Sequence, residues 1–422
     1  MFERTALPHG PRVISARHPG SRSVSIVAYV LAGSRLETLE QAGVAHFMEH
    51  ITFKGTEAYP SSRAIAEAIE GVGGSFNAAT DRESTTYWVR VPRREAQRGT
   101  DVLGELIVRP VLDDAEIDHE RTVIVEEIRS YMDDPVEYAH ILFQQAMFGE
   151  GPLGREICGD EAGIREMPTT AIHDFWGSLY RPANTVVAIA GDLDHQQAVD
   201  LVARAFGSGN GVVPGFAPAP VLPAGPRYLL AHRDTSQAQL VVGVPALPRD
   251  HPDSWALGLL NVVLGEGMSS RLFLTVREEK ALAYDISSGV VDYADAGAFE
   301  VSAGVDPDSL AEALGAILEQ LARMRDEAVP ADELQKAKSY LSGGLELRMD
   351  ETRHLASWFG SQEALHDRVL TLDDALAEID AVTADDLRRL SGELFRDDRL
   401  RLAVVAPPRR GRALEKRLRL PA

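Results

Sequence analysis

His46, Glu49 and His50 stand close enough in the chain, in the run HFMEH, to act on one metal ion. On a helix at 100° per residue, Glu49 lies about −60° and His50 about +40° from His46, so the three share one face. Two imidazoles one turn apart can grip a single Zn²⁺, and the neighbouring carboxylate can serve as base toward a water on that ion. The order is the inverse of H-E-x-x-H. Three fixed positions in five also arise by chance on amphipathic helices, so the motif needs support from elsewhere.

That support comes from DAEIDHERTVIVEEIRSYM, Asp114 to Met132, which reads as a helix with an N-terminal Asp signal and strong helix formers. Seven residues separate Glu120 from Glu127, and a helix brings them within about 20° of each other. They share that face with Val123, Ile124, Ile128 and Tyr131. Carboxylates on an apolar stripe are costly to bury unless something positive meets them. An arginine could fill that role in a structural ion pair. A metal held by His46 and His50 is the sharper reading, with one glutamate as third ligand and the other orienting an imidazole. Two histidines and one glutamate form the ligand set of a catalytic zinc site with an open position. Helical geometry leaves open which of Glu120 and Glu127 touches the metal.

Taken together, the two segments resemble the inverzincin metallopeptidases, the family of pitrilysin, insulin-degrading enzyme and the mitochondrial processing peptidases. There, H-x-x-E-H is followed about 76 residues later by a ligand glutamate in an E-R-x-V-x-x-x-E context. Residues 51 to 126 separate His50 from Glu127, and Glu120-Arg121-Thr122-Val123 opens the matching context. The resemblance implies His46, His50 and Glu127 as ligands of one Zn²⁺ per chain, Glu49 as general base and Glu120 as the partner of a ligand imidazole. It runs from Leu7-Pro8-His9-Gly10 to the last strand.

Further along, GMSSRLFLTVREEKALAYDISSGV (Gly267 to Val290) resembles the family's G-M-S-S-R-L-F…R-E…L-A-Y signature. Arg277 and Tyr284 then match the arginine–tyrosine pair that orients the substrate main chain and steadies the tetrahedral intermediate. Without that match, a surface arginine and a core tyrosine would be the ordinary reading. Asn77, Ala78 and Ala79 match the edge strand that aligns substrate beside the metal by β-augmentation, where a Gly-rich hairpin entry is the plainer alternative. Gly151 departs from the histidine that opens the family's H-P-L-G-x-x-I-x-G loop. Glu266 and Lys280-Ala281 replace a usual glycine and a frequent arginine-glycine.

These groups need two frameworks to hold them. GSGNGVVPGFAPAPVLPAG, 207–225, is Gly/Pro-rich and reads as a linker, giving a zinc-binding lobe 1–208, a linker 209–224 and a second lobe 225–422. The halves repeat an order of elements. Strands begin at Ser23 and Gln237, helices follow near Gly43 and Ser254, and each half closes with a helix and strand, 169–192 and 383–407. The expected fold is α+β: two tandem, similar lobes, each a mostly antiparallel sheet packed with helices. The second lobe's SWALGLLNVVLG helix is apolar and offers no metal ligand.

Hydrophobic residues at 45% and charged residues at 25% describe an ordinary globular chain of 422 residues. A net charge of −21 argues against nucleic acid or an anionic membrane as partner. No apolar run nears the ~20 residues of a membrane span, and the N-terminal residues have no signal-peptide core. The lone cysteine, Cys158, points to a reducing, cytoplasmic setting and reads as a packing residue. The expectation is zinc-dependent hydrolysis of short or unfolded polypeptides in a closed chamber. Because the family's larger members join four lobes, a two-lobe chain implies a homodimer, or else a heterodimer with a metal-free relative. A non-catalytic core subunit of a larger complex, as some relatives have become, is the alternative class of function.

Overall fold

The computed structural model describes residues 2–209, 211 and 215–421. The chain folds into two compact units. In the first, six strands form one sheet: β1 (Phe2–Ala6), β2 (Arg12–Arg17), β3 (Ser23–Val30), β4 (Ser75–Thr80), β5 (Thr85–Pro92) and β6 (Thr185–Gly191). Their order is β1-β2-β6-β3-β5-β4, antiparallel throughout except for the parallel pair β2–β6. β3 and β6 are unbroken apolar runs because they lie mid-sheet with both faces covered. β5 alternates, and β4 lies at the edge with β5 as its only strand partner among the described residues.

Successive residues of β3 point to opposite faces. Ile26 meets helix Ala96–Val108 at Gly99, together with Val89 and Val91 of β5. On the other face, Val27 and Tyr29 join Ile14, Val186 and Ala188 in a core with Ala356 and Phe359 of helix Thr352–Leu365. Only glycine fits at 360 on that helix, since a Cβ would come within 2.7 Å of the Tyr29 ring and the Ala188 methyl. Ser25 on the same face hydrogen-bonds Thr352 at 2.9 Å.

The second unit has five strands, β7 (Tyr228–His232), β8 (Ala238–Pro245), β9 (Ala283–Asp292), β10 (Gly297–Val305) and β11 (Arg401–Ala406). Their order, β7-β11-β8-β10-β9, repeats β2-β6-β3-β5-β4, again with the first pair parallel and the rest antiparallel. Helix Pro135–Phe148 supplies Phe143, Met147 and Phe148 to a core with Val241, Ala403 and Val405. The α+β expectation of two similar sheets packed with helices holds, and the repeated strand order agrees with the repeat of elements read from the sequence. Strands β1, β2 and β7 were not foreseen.

The linear lobes 1–208 and 225–422 need correction as compact units. The first unit comprises residues 1–128, 156–217 and 346–371, and the second 129–155, 218–345 and 372–422. Each half of the chain thus sends one helix to the other half's sheet. Within the linker 209–224, positions 210 and 212–214 lie outside the described residues. Among the described residues no helix is long and apolar enough to cross a membrane.

Candidate metal centre

Helix Val44–Thr52 carries the HxxEH residues, and its start is fixed by backbone geometry and a carboxylate. Gly43 adopts φ 95°, and a Cβ there would strike the Cys158 carbonyl oxygen at 2.6 Å. Buried Glu37 accepts from the N–H groups of Gly43 (3.0 Å) and Ala45 (2.8 Å). It satisfies helix-start donors and places negative charge at the positive end of the helix dipole. Nothing in the local sequence marked Glu37, because it reaches the helix from outside the motif.

Helix Asp114–Asp133 brings both glutamates to the histidines. Glu127 places Oε2 3.2 Å from His50 Nε2 and Oε1 3.7 Å from His46 Nε2. The two imidazoles stand edge to face, ring centres 4.5 Å apart. His50 Nδ1–H donates to Glu120 Oε1 at 2.8 Å, and the other Glu120 oxygen pairs with Lys54 Nζ at 2.5 Å. Glu120 is buried and Glu127 is half-buried. The stripe is narrower than the helical wheel suggested. Ile117, Ile124, Val125 and Ile128 are buried with Glu120, whereas Val123, at the stripe's margin, is 42% exposed.

Electrostatics agree with a site built for a cation. Burial chiefly, with the neighbouring His50, pulls His46 down to about 4, which favours the neutral imidazole; its buried Nδ1 has no hydrogen-bond partner among the described residues. Burial also pulls His50 down, but hydrogen bonds to Glu120 and Glu127 and their charges outweigh it and raise His50 to about 9. Burial pushes Glu120 up, yet His50 and Lys54 together hold it below the usual range. A proton on His50 and the ammonium of Lys54 together offset the two carboxylates. A zinc ion would replace that proton and take the nitrogen and oxygen donors it prefers. The residues present therefore fit zinc.

Glu49 shares the helix, and Thr80 Oγ1 donates to its Oε2 at 2.6 Å. Burial raises the Glu49 pKa while the Thr80 bond partly offsets it. Thr80 ends β4, whose Asn77, Ala78 and Ala79 pair with Trp88, Tyr87 and Thr86 of β5. The other edge of β4 has no strand partner among the described residues, as substrate pairing requires.

Cys158 is buried, in keeping with a packing residue, yet its surroundings are chemical. Its sulfur lies within 4.8 Å of donor atoms of both His46 and Glu127. Burial and nearby carboxylates push its thiol well up, which keeps it protonated while no metal is bound. Sequence gave no hint of this closeness, since a long stretch of chain intervenes.

Arg277 and Tyr284 come together in the second unit. The Arg277 guanidinium sits 5.2 Å from the Tyr284 ring centre and 4.7 Å from that of Phe273. Arg277 lies on the π-helical stretch Phe273–Glu279, and Tyr284 lies near the start of the edge strand β9. Tyr284 is 74% exposed, so it is no core tyrosine. Both line a cavity of about 390 Å³ with Gln237 and Asp306. Ala281 between them adopts φ 51°, a conformation that suits the glycine the family often has there.

Known proteins resemble the chain along most of its length. Residues 12–161 match the family model described as "Insulinase (Peptidase family M16)", and 168–341 match "Peptidase M16 inactive domain". A Streptomyces coelicolor protein named an uncharacterized zinc protease is 35% identical over 412 residues, spanning 96% of this chain and 89% of the relative. The Bacillus subtilis "Uncharacterized zinc protease YmxG" is 33% identical over 413 residues, spanning 96% and 98%. The crystal structure of a protease from Helicobacter pylori superposes with TM-score 0.89 at 24% identity, covering 96% of this chain and 99% of that one. With its duplicated sheets and full-length relatives named zinc proteases, the chain belongs to peptidase family M16, the insulinase family.

Proposed function

We propose that this chain is a zinc-dependent endopeptidase acting on short or unfolded polypeptides, with His46, His50 and Glu127 holding one zinc ion and Glu49 as general base. The observation that carries the reading is the convergence of two helices that sets the Glu127 carboxylate 3.2 and 3.7 Å from the imidazole Nε2 atoms. The bound ion would supply Lewis acidity toward the scissile carbonyl and the attacking water. Glu49 takes a proton from that water and returns it to the departing amine, and its burial-raised pKa lies nearer the working pH. Glu120 holds His50 by Nδ1–H, which leaves Nε2 free to ligate, and Lys54 holds Glu120. An extended peptide pairs with the free edge of β4, so folded proteins are poor substrates. Arg277 and Tyr284 orient the substrate main chain, supplied by the second copy of a homodimer. The lone Cys158 suits the reducing cytoplasm.

Metal analysis combined with a quenched-peptide assay tests this. Wild type and Glu49→Gln should both hold about one zinc per chain, and kcat should fall about 1000-fold in the variant. Equal cleavage by both would remove Glu49 from the mechanism. Purified wild type that neither holds zinc nor cleaves peptides would return the chain to the scaffold class.

A further inference from the structure

At the end of β4 remote from Glu49 lies a cavity of about 520 Å³ lined by Arg22, Arg90 and Arg94 together with Ser23, Gly73 and Ser75. Among the described residues no carboxylate lines it. Among the described residues neither Arg22 nor Arg90 has an acidic partner, while Arg94 reaches only Glu95, at 3.5 Å and with its side chain 75% exposed. In a chain with 64 acidic and 43 basic residues, three arginines gathered around one hollow are out of keeping with the rest of the surface. Like charges so placed repel one another, and a guanidinium fork matches a carboxylate in two parallel hydrogen bonds.

The position of this hollow ties it to the substrate path. Ser75 opens β4 and is the register partner of Arg90, which in turn pairs with Ser25 of β3, so the three share a sheet face. Thr80, five residues along the same strand and therefore pointing to the opposite face, bonds Glu49, so the hollow and the general base flank one edge from its two faces. At about 3.4 Å per residue the hollow is ~17 Å from the general base along the edge. A peptide extended on that edge would carry a group about five residues from the scissile bond to the arginines. Gly73 has open space where a side chain would stand, which leaves the approach clear.

We infer that this arginine-lined hollow is a substrate subsite for a carboxylate about five residues from the cleaved bond. It rests on the peptidase reading above. Two sources offer the same chemistry: the peptide's own C-terminal carboxylate, if substrate runs antiparallel to β4, or an acidic side chain. The test uses full-length, zinc-loaded protein and quenched peptides of one core sequence. One peptide ends in a free acid about five residues past the bond and one is the matching amide. Two longer amidated peptides place glutamate at that distance on either side of the bond. Free-acid preference points to the terminus, and preference for a glutamate peptide points to a side chain. In either case wild type should cleave the carboxylate-bearing peptide about tenfold faster in kcat/KM than its neutral match, and Arg22→Gln/Arg90→Gln should abolish that margin. Cleavage of the neutral amide should stay unchanged in the double variant, which also shows that it folds. The subsite is overturned if wild type cleaves acid, amide and glutamate peptides alike, or if the variant loses neutral and carboxylate peptides equally. Failure of wild type to cleave any of them would instead overturn the peptidase reading, and the subsite with it.

Discussion

Thr80 and Glu49 show how one hydroxyl tunes a buried base. The Thr80 bond favours the ionised carboxylate, against the burial that favours the neutral acid. Thr80→Val removes the donor at nearly constant volume, so Glu49 should titrate higher. The acid limb of the kcat/KM profile should then move to higher pH, with activity near neutrality about tenfold lower. An unmoved limb in Thr80→Val would show that Glu49 does not set that limb. At this scale the sequence was legible where chemistry is local to a helix: HFMEH fixes three groups by spacing, and Glu120 and Glu127 share a face by the same arithmetic. Glu37, Thr80 and Cys158 were not legible, because tertiary packing alone brings them to the site. Physical reasoning on the wheel also left Glu120 and Glu127 equivalent. The structure separates them, one bonding Nδ1 of His50 and the other facing Nε2.

Two elements of the second unit carry their own predictions. Ala281 sits at φ 51° in the turn between Arg277 and Tyr284, where a Cβ crowds the backbone. Relief of that strain should outweigh glycine's greater unfolded-state entropy, so Ala281→Gly should stabilise by about 0.5–1 kcal/mol in denaturant titration. A loss of stability would mean that the turn is unstrained. Helix Pro135–Phe148 is tied to β10 by His140 Nδ1 and Glu300 Oε1 at 3.2 Å, and the Glu300 bond lifts His140 above the usual 6.5 against the effect of burial. Since the folded value lies above the unfolded one, this contribution is complete below pH 6.5 and fades as pH rises through the folded value. Wild type should therefore exceed His140→Gln in denaturant midpoint at pH 6 by more than at pH 9. A gap independent of pH would deny the ion pair that role.

For the whole molecule, the proposed assembly is the part most open to direct measurement. Light scattering should give about twice 45.9 kDa if two chains combine. Mixing inactive Glu49→Gln with an inactive Arg277→Ala/Tyr284→Phe chain should restore cleavage, because mixed pairs hold one intact composite site. A stable monomer with full activity, or no restoration on mixing, would end the homodimer proposal. The duplication was legible as a recurring order of strands and helices. The interleaving of the units was not, since the apolar faces of helices Pro135–Phe148 and Thr352–Leu365 declare that each is buried but not which sheet receives it.

That interleaving also bears on how the chain comes off the ribosome. Val27, Tyr29 and Val186 of the first sheet are covered by residues 352–365 in the folded chain, so that face would lack its cover until those residues emerge. A nascent chain stopped at the Gly/Pro-rich stretch would hold every proposed zinc donor and still lack the lid over its own core. Excision of a minimal catalytic fragment at that stretch should thus yield an aggregating product, whereas cutting there in the finished molecule should leave two pieces that refuse to part.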